Sequence, residues 1–186
     1  MSSASLQKWE GERATELDRI EAAHRAIGGG ARGRRWATVQ INQAYAMLLS
    51  SHFQGFCRDL HSESVDHIVS AIRPVLLHTA LRAEFVLARK LDRGNPNPGN
   101  IGSDFTRLGI DFWPEVWADD VRNRVRQKRI ELMSEWRNAI AHQDFSGKLE
   151  PASLTLPLIR QWRGGCKGLA RSFDRVMARY LEKVVG

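Results

Sequence analysis

The chain has 186 residues, 42% of them hydrophobic, which suits one globular domain with a sizeable core. Its two cysteines, Cys57 and Cys166, belong to no CxxC pair, which argues against a disulfide framework or a thiolate metal cage. A formal charge of +7 and a pI near 10.0, with arginine far outnumbering lysine, describe a surface that attracts polyanions and suits bidentate phosphate contacts.

The N-terminal stretch MSSASLQKWEGERATEL has neither the apolar core nor the cleavage region of a signal peptide, and no later stretch holds the roughly 20 apolar residues of a membrane span. A cytoplasmic protein is expected. Leu6, Trp9, Leu17, Ile20 and Ile27 keep a three-to-four spacing that predicts a first helix, and GGGARGRR at 28–35 stops it. That loop reads as a connector or as a grip on a nucleic-acid backbone, and it lacks the GK[ST] ending of a nucleotide P-loop. Residues 1–35 thus form an N-terminal helix with a basic loop, and 36–186 the main bundle.

From Trp36 the apolar run Ile41, Tyr45, Leu48, Leu49, Phe53, Phe56 and Leu60 predicts the core helix. Val65, Ile68, Val69 and Ile72 extend it to a break near Pro74. A further helix is expected through Val75, Leu77, Leu81, Phe85, Ala88 and Leu91, ending in RGNPNPGNIG, whose prolines and glycines argue against regular structure. After the segment DFTRLGIDFWPEVWADD, a long helix with Asp119 or Asp120 as N-cap is expected to run through Val125, Leu132, Trp136 and Ile140. DFSGKLEP closes it, and a last helix should span about Pro157 to Val184. The expected architecture is an all-α bundle of five to six helices.

Three Arg-x4-His matches occur: Arg19 to His24, Arg73 to His78, and Arg137 to His142 in EWRNAIAHQDF. Spacing alone carries little in so arginine-rich a chain, so context must separate them. His24 lies near the seam of the first helix, and Arg73 precedes Pro74. In RNAIAH, at about 100° per residue, Asn138 and His142 share a face while Arg137 is turned about 140° from His142. His142 falls with Glu131 and Glu135, away from the apolar face, at a helix C-terminus whose dipole favours a protonated imidazole.

RNAIAH, its place near the end of the penultimate long helix, and the segment INQAYAMLLSSHFQGFCRDL at 41–60 together resemble the HEPN domains (higher eukaryotes and prokaryotes nucleotide-binding), in particular their ribonuclease branches. The likeness covers roughly residues 36–184. Arg137 to His142 matches that family's Arg-x4-6-His motif with a polar residue after the arginine. Gln54 stands about where many members carry an acidic residue. The resemblance implies an all-α homodimer in which two motifs share one cleft, and a metal-independent endoribonuclease without a cofactor. Arg137 would hold the scissile phosphate, His142 would serve as general base or acid, and Asn138 would orient the histidine or the substrate. It also implies RNA as partner and, in a toxin or antiphage setting, an antitoxin or other regulatory protein.

In VRNRVRQKR, Arg122, Arg126 and Arg129 fall near one line, with Arg124 and Lys128 on another, a stripe suited to RNA phosphate or to a solvated face balanced by Glu131 and Glu135. Trp113 and Trp117 read first as core anchors and second as base-stacking platforms. Cys57, His61 and His67 form no complete metal-ligand set, and Ser62 and Ser64 lack a nucleophile signature. The competing readings are a catalytically silent HEPN module that binds RNA, a nucleotide or a protein, and a helical scaffold in which RNAIAH is accidental.

Overall fold

The computed structural model describes residues 2–28, 35–147 and 149–185, and every regular element among them is helical. Residues 29–34 of the GGGARGRR loop lie outside the described residues. Helix α1 (Ala4–Lys8) continues through a π-helical turn at Trp9–Arg13 into α2 (Ala14–Gly28). Then come α3 (Arg35–Ser70), a 3-10 turn at Val75–Leu77, α4 (His78–Val86) and α5 (Lys90–Arg93). The rest is α6 (Pro98–Thr106), α7 (Phe112–Asp119), α8 (Asn123–His142) and α9 (Leu156–Val185). The chain carries more and shorter helices than the five to six expected, and none is long and apolar enough to cross a membrane among the described residues.

The expected first helix is held at its N-terminal end by acids of later elements. Ser3 caps α1 by accepting from the Leu6 amide at 3.0 Å, and its own amide donates to Asp174 of α9. Glu63 of α3 accepts from the amides of Ala4 and Ser5, placing a carboxylate where the helix N-terminus presents unpaired N–H groups.

Helix α3 is buried on most of its circumference, as Tyr45, Ala46, Leu49, Phe53, Phe56, Cys57 and Val65 have no exposed surface. Its length is about 54 Å at 1.5 Å per residue, and α1, α2, α8 and α9 pack around it. Phe173 of α9 joins the layers. Its ring lies 4.8 Å from Phe112, 6.1 Å from Phe53 and 6.3 Å from Phe105, so one side chain touches α3, α6 and α7 together.

Three sequence expectations are corrected. RGNPNPGNIG does not exclude regular structure: Asn97 caps α6 by accepting from the Asn100 amide at 2.7 Å, and Pro98 takes the first helical position, where a missing N–H has no consequence. Asp119 and Asp120 do not cap α8. Arg122 holds that position without a side-chain cap, Asp119 closes α7 and pairs with Arg175 and Arg179, and Asp120 accepts from the Arg122 amide. Val125 is 55% exposed, because the buried place in the first turn of α8 belongs to Asn123, whose amide donates to the Val116 carbonyl and the Ser172 hydroxyl. Asn123 and Ile130 are seven residues apart and share a face, whereas Val125 is turned about 200° from Asn123.

His61 of α3 is fully buried, with Nε2 3.2 Å from the Asp104 carbonyl and Nδ1 without a partner. That geometry fits a neutral ring donating through Nε2. Burial first, and the Arg89 guanidinium second, lower its pKa from 6.5 to about 4. Between those values the unfolded chain binds a proton that the folded chain refuses, so stability is full above pH 6.5 and falls as pH drops toward 4. The loss from this group is about 3 kcal/mol. Urea unfolding across that range should show His61→Phe losing less stability with acidification than the parent; an identical pH slope would contradict the burial argument.

Candidate functional site: the C-terminal end of helix α8

Helix α8 ends on a left-handed residue. Gln143 has φ 53°, its amide donates to the Ile140 carbonyl, and the Asp144 amide donates to the Ala139 carbonyl at 3.0 Å. These two bonds satisfy the last carbonyls of the helix and turn the chain sharply. Phe145 then folds back so that its ring lies 6.5 Å from that of buried Trp136. His142 is therefore the last helical residue, exposed and without a side-chain hydrogen bond among the described residues. Beside it, the Asp144 carboxyl is held below its usual range by the Ser146 hydroxyl and amide, with a further contribution from His142.

Arg137 is half-buried one turn and a half earlier, and its Nη1 approaches Asn138 Oδ1 at 3.4 Å. Asn138 is exposed, and the same Oδ1 accepts from Asn95 Nδ2 at 3.0 Å. The structure thus brings Arg137 and Asn138 together, while no hydrogen bond joins either to His142 among the described residues. The other two Arg-x4-His matches differ: His24 is partly buried with an unpartnered Nε2, and His78 donates to the Ile72 carbonyl at 2.8 Å.

The sequence reading missed the segment that supports Asn138. Asn95, 7% exposed, also reaches the Ser134 carbonyl at 3.5 Å and accepts from Asn97 Nδ2 at 2.7 Å. Gln54, noted only for standing where an acid was expected, donates to the carbonyls of Leu91 at 2.6 Å and Gly94 at 2.8 Å. From the other side the Asp104 carboxylate accepts from the amides of Lys90 and Leu91. The available signal was the density of asparagines in GNPNPGN, which read as a loop composition rather than as a set of hydrogen-bonding groups.

The basic stripe is partly engaged within the chain. Arg126 donates to Asp120 and Asn123 and lies over Gly168, where an added Cβ would collide with its guanidinium. Arg122 also pairs with Asp120, whose carboxyl is held well below the usual range, chiefly by that arginine. Arg129 rests its aliphatic stem on Gly165. Lys128 is exposed with no ion pair among the described residues, and Arg124 lies 4.7 Å over the Trp117 ring. Trp117 donates to Gln127 and stays partly exposed, whereas Trp113 packs edge-on against Phe173 and donates to the Pro98 carbonyl.

Among the described residues no group of three or more His, Cys, Asp or Glu side chains is arranged to hold a metal. Cys57 and Cys166 are buried free thiols whose pKa values burial pushes up, and His67 is exposed. Ser64 donates to the Leu60 carbonyl and Ser62 accepts from Arg89. A cleft of about 320 Å³, lined by Trp136 and Phe145 together with Val39 and Gln43 of α3, opens beside the end of α8.

Comparison of the chain with protein-family models, with curated proteins and with solved structures returns no match.

The Gln54 bridge gives a direct test of how the site is supported. Gln54→Ala leaves two carbonyls without a donor and should cost about 1–3 kcal/mol in urea unfolding. Gln54→Glu should cost more, because a carboxylate offers those oxygens no proton and repels them. A Glu variant as stable as the parent would show that the bridge does not hold this segment.

Proposed function

We propose that the chain is a HEPN-type, metal-independent endoribonuclease that works as a homodimer. The observation that carries this reading is the display of Arg137, Asn138 and His142 at the exposed end of one helix, with no hydrogen bond to the imidazole among the described residues and the guanidinium held by a single long bond. A histidine placed for structure alone is normally packed or hydrogen-bonded, as His61 and His78 are here.

The chemistry follows from the groups. Cleaving RNA without a metal requires removal of the ribose 2′-hydroxyl proton, stabilisation of charge on the phosphoryl oxygens, and protonation of the leaving 5′-oxygen. An imidazole, with an ordinary pKa of about 6.5, can exchange protons near neutrality. A guanidinium can hold two phosphoryl oxygens at once. Attack of the 2′-oxygen on phosphorus forms the 2′,3′-cyclic phosphate, breaks the P–O5′ bond and leaves a 5′-hydroxyl. Arg137 and His142 diverge by about 140° around α8, so one copy of the helix does not aim both at one phosphate. A second copy across a two-fold axis supplies the missing partner.

The exposed Lys128, with Arg122 and Arg124 nearby, offers charge for flanking phosphates, and Arg126 and Arg129 add to the field while packed against α9. The net charge of +7 favours such a polyanion. A cytoplasmic toxin or antiphage effector restrained by an antitoxin-like protein is the setting this reading implies. A second reading, a silent HEPN module that binds RNA, a nucleotide or a protein, draws on Gln54: its amide nitrogen donates to the carbonyls of Leu91 and Gly94, where an acid would be expected.

The purified protein should cleave single-stranded RNA in EDTA and leave 2′,3′-cyclic phosphate ends. His142→Ala and Arg137→Ala should each lower the rate by about 100-fold or more with unchanged melting temperature. Cleavage that survives both substitutions, or that requires added metal, would overturn the proposal, and binding without cleavage would select the silent module. Sedimentation at micromolar concentration should show a dimer; a single 21.1 kDa species would remove the shared cleft.

A further inference from the structure

The side-chain amides around Asn138 form a chain of hydrogen bonds whose direction is fixed at both ends. At one end the backbone N–H of Asn100, which can only donate, lies 2.7 Å from Asn97 and so fixes that atom as Oδ1. The other end of the same amide is then Nδ2, which donates to Asn95 at 2.7 Å and makes the accepting atom its Oδ1. Asn95 is left with Nδ2 toward α8, where it meets the Ser134 carbonyl, which can only accept, and Asn138 at 3.0 Å. Asn138 must therefore turn Oδ1 inward. The Arg137 guanidinium, which can only donate, reaches the same oxygen and requires the same orientation.

We infer that this relay makes Asn138 a donor to substrate: its Oδ1 is held by Asn95 and Arg137, so its exposed Nδ2 presents two N–H groups to an anionic oxygen of bound RNA. Asn95 and Asn97 are positioning residues that act through it. The role assigned rests on the ribonuclease reading above, and it decides between the two roles open to Asn138 from sequence. An asparagine that orients His142 would accept from or donate to the imidazole, yet its oxygen is already occupied, and its nitrogen has no acceptor among the described residues. Each bond along the relay also polarises the next, which strengthens the final N–H as a donor to a charged oxygen.

The relay can be read without RNA. By NMR, the side-chain amide protons of Asn95 and Asn97 should be protected from exchange with water while those of Asn138 exchange freely; protected Asn138 protons would overturn the assignment. With RNA, the decisive variant is Asn138→Asp. Its carboxylate still accepts from Arg137 and Asn95, so the melting temperature should hold. It presents an oxygen where the phosphate expects a donor, so binding to a 2′-O-methyl oligoribonucleotide, which is not cleaved, should weaken at least tenfold. Asn95→Asp, which cannot donate to Asn138, should weaken binding of the same probe and shift the Asn138 side-chain amide resonances. Binding and cleavage by Asn138→Asp at parental levels would overturn the donor role. A parent protein that neither binds nor cleaves RNA overturns the ribonuclease reading, and the exchange pattern then decides the relay on its own.

Discussion

Between α4 and α6 the chain turns too often to satisfy its own backbone hydrogen bonds, and side chains from neighbouring helices do so instead. Asp104 takes the amides of Lys90 and Leu91, and Gln54 supplies the carbonyls of Leu91 and Gly94. Buried Arg89 reaches Asp92, the Arg58 carbonyl and Ser62. A buried backbone group without a partner costs about 1–3 kcal/mol, so these contacts fix the path of the segment more sharply than any apolar contact could. They also link α3, α6 and α8, because the same segment carries Asn95 to the end of α8. The placement of Arg137 and Asn138 follows from that linkage.

The apolar framework performs a complementary task. Phe173, touching Phe53, Phe105 and Phe112, sets how α9 meets the other layers. Trp136, with Phe145 against it, anchors the far end of α8. Helix α8 is thus seated by packing along its buried face of Ile130, Met133, Trp136 and Ile140, and its last turns are oriented by polar contacts. Packing determines which face is turned inward, and directional hydrogen bonds determine what the opposite face can present.

Periodicity was enough to recover the first helix, α3 and α9, because each buries a long apolar stripe or surface whose spacing is visible in one dimension. It failed where burial is not apolar. Asn123 occupies a core position through two hydrogen bonds, so the first turn of α8 was wrongly assigned to Val125. It failed also where a turn residue starts a helix, as Asn97 and Pro98 do. The exposure of His142 could be read from its position opposite Trp136 and Ile140. The amide relay could not, since its members are 38 or more positions from Asn138 in sequence, and only the fold brings them together.

No side chain between Ala71 and Ala88 is buried, and Val75, Leu76 and Leu87 are exposed. This arm meets the rest of the molecule mainly along α3, and its chain re-enters the bundle through Ala88, which adopts φ 55° against the preference of its Cβ. Ile72, Leu81 and Phe85 rest partly buried against the core and Arg107 donates to the carbonyls of Glu84 and Leu87, whereas just beyond the arm Arg89 is a buried guanidinium held by four bonds. The character of the anchoring therefore changes at residues 88 and 89, from partly buried contacts to buried, directional hydrogen bonds. On the early side, the arm is held by a few apolar edges and by arginines at its surface, Arg82 on Asp66 and Arg107 on two carbonyls. On the later side, the chain is held by buried polar groups and is tied through Asn95 to the end of α8.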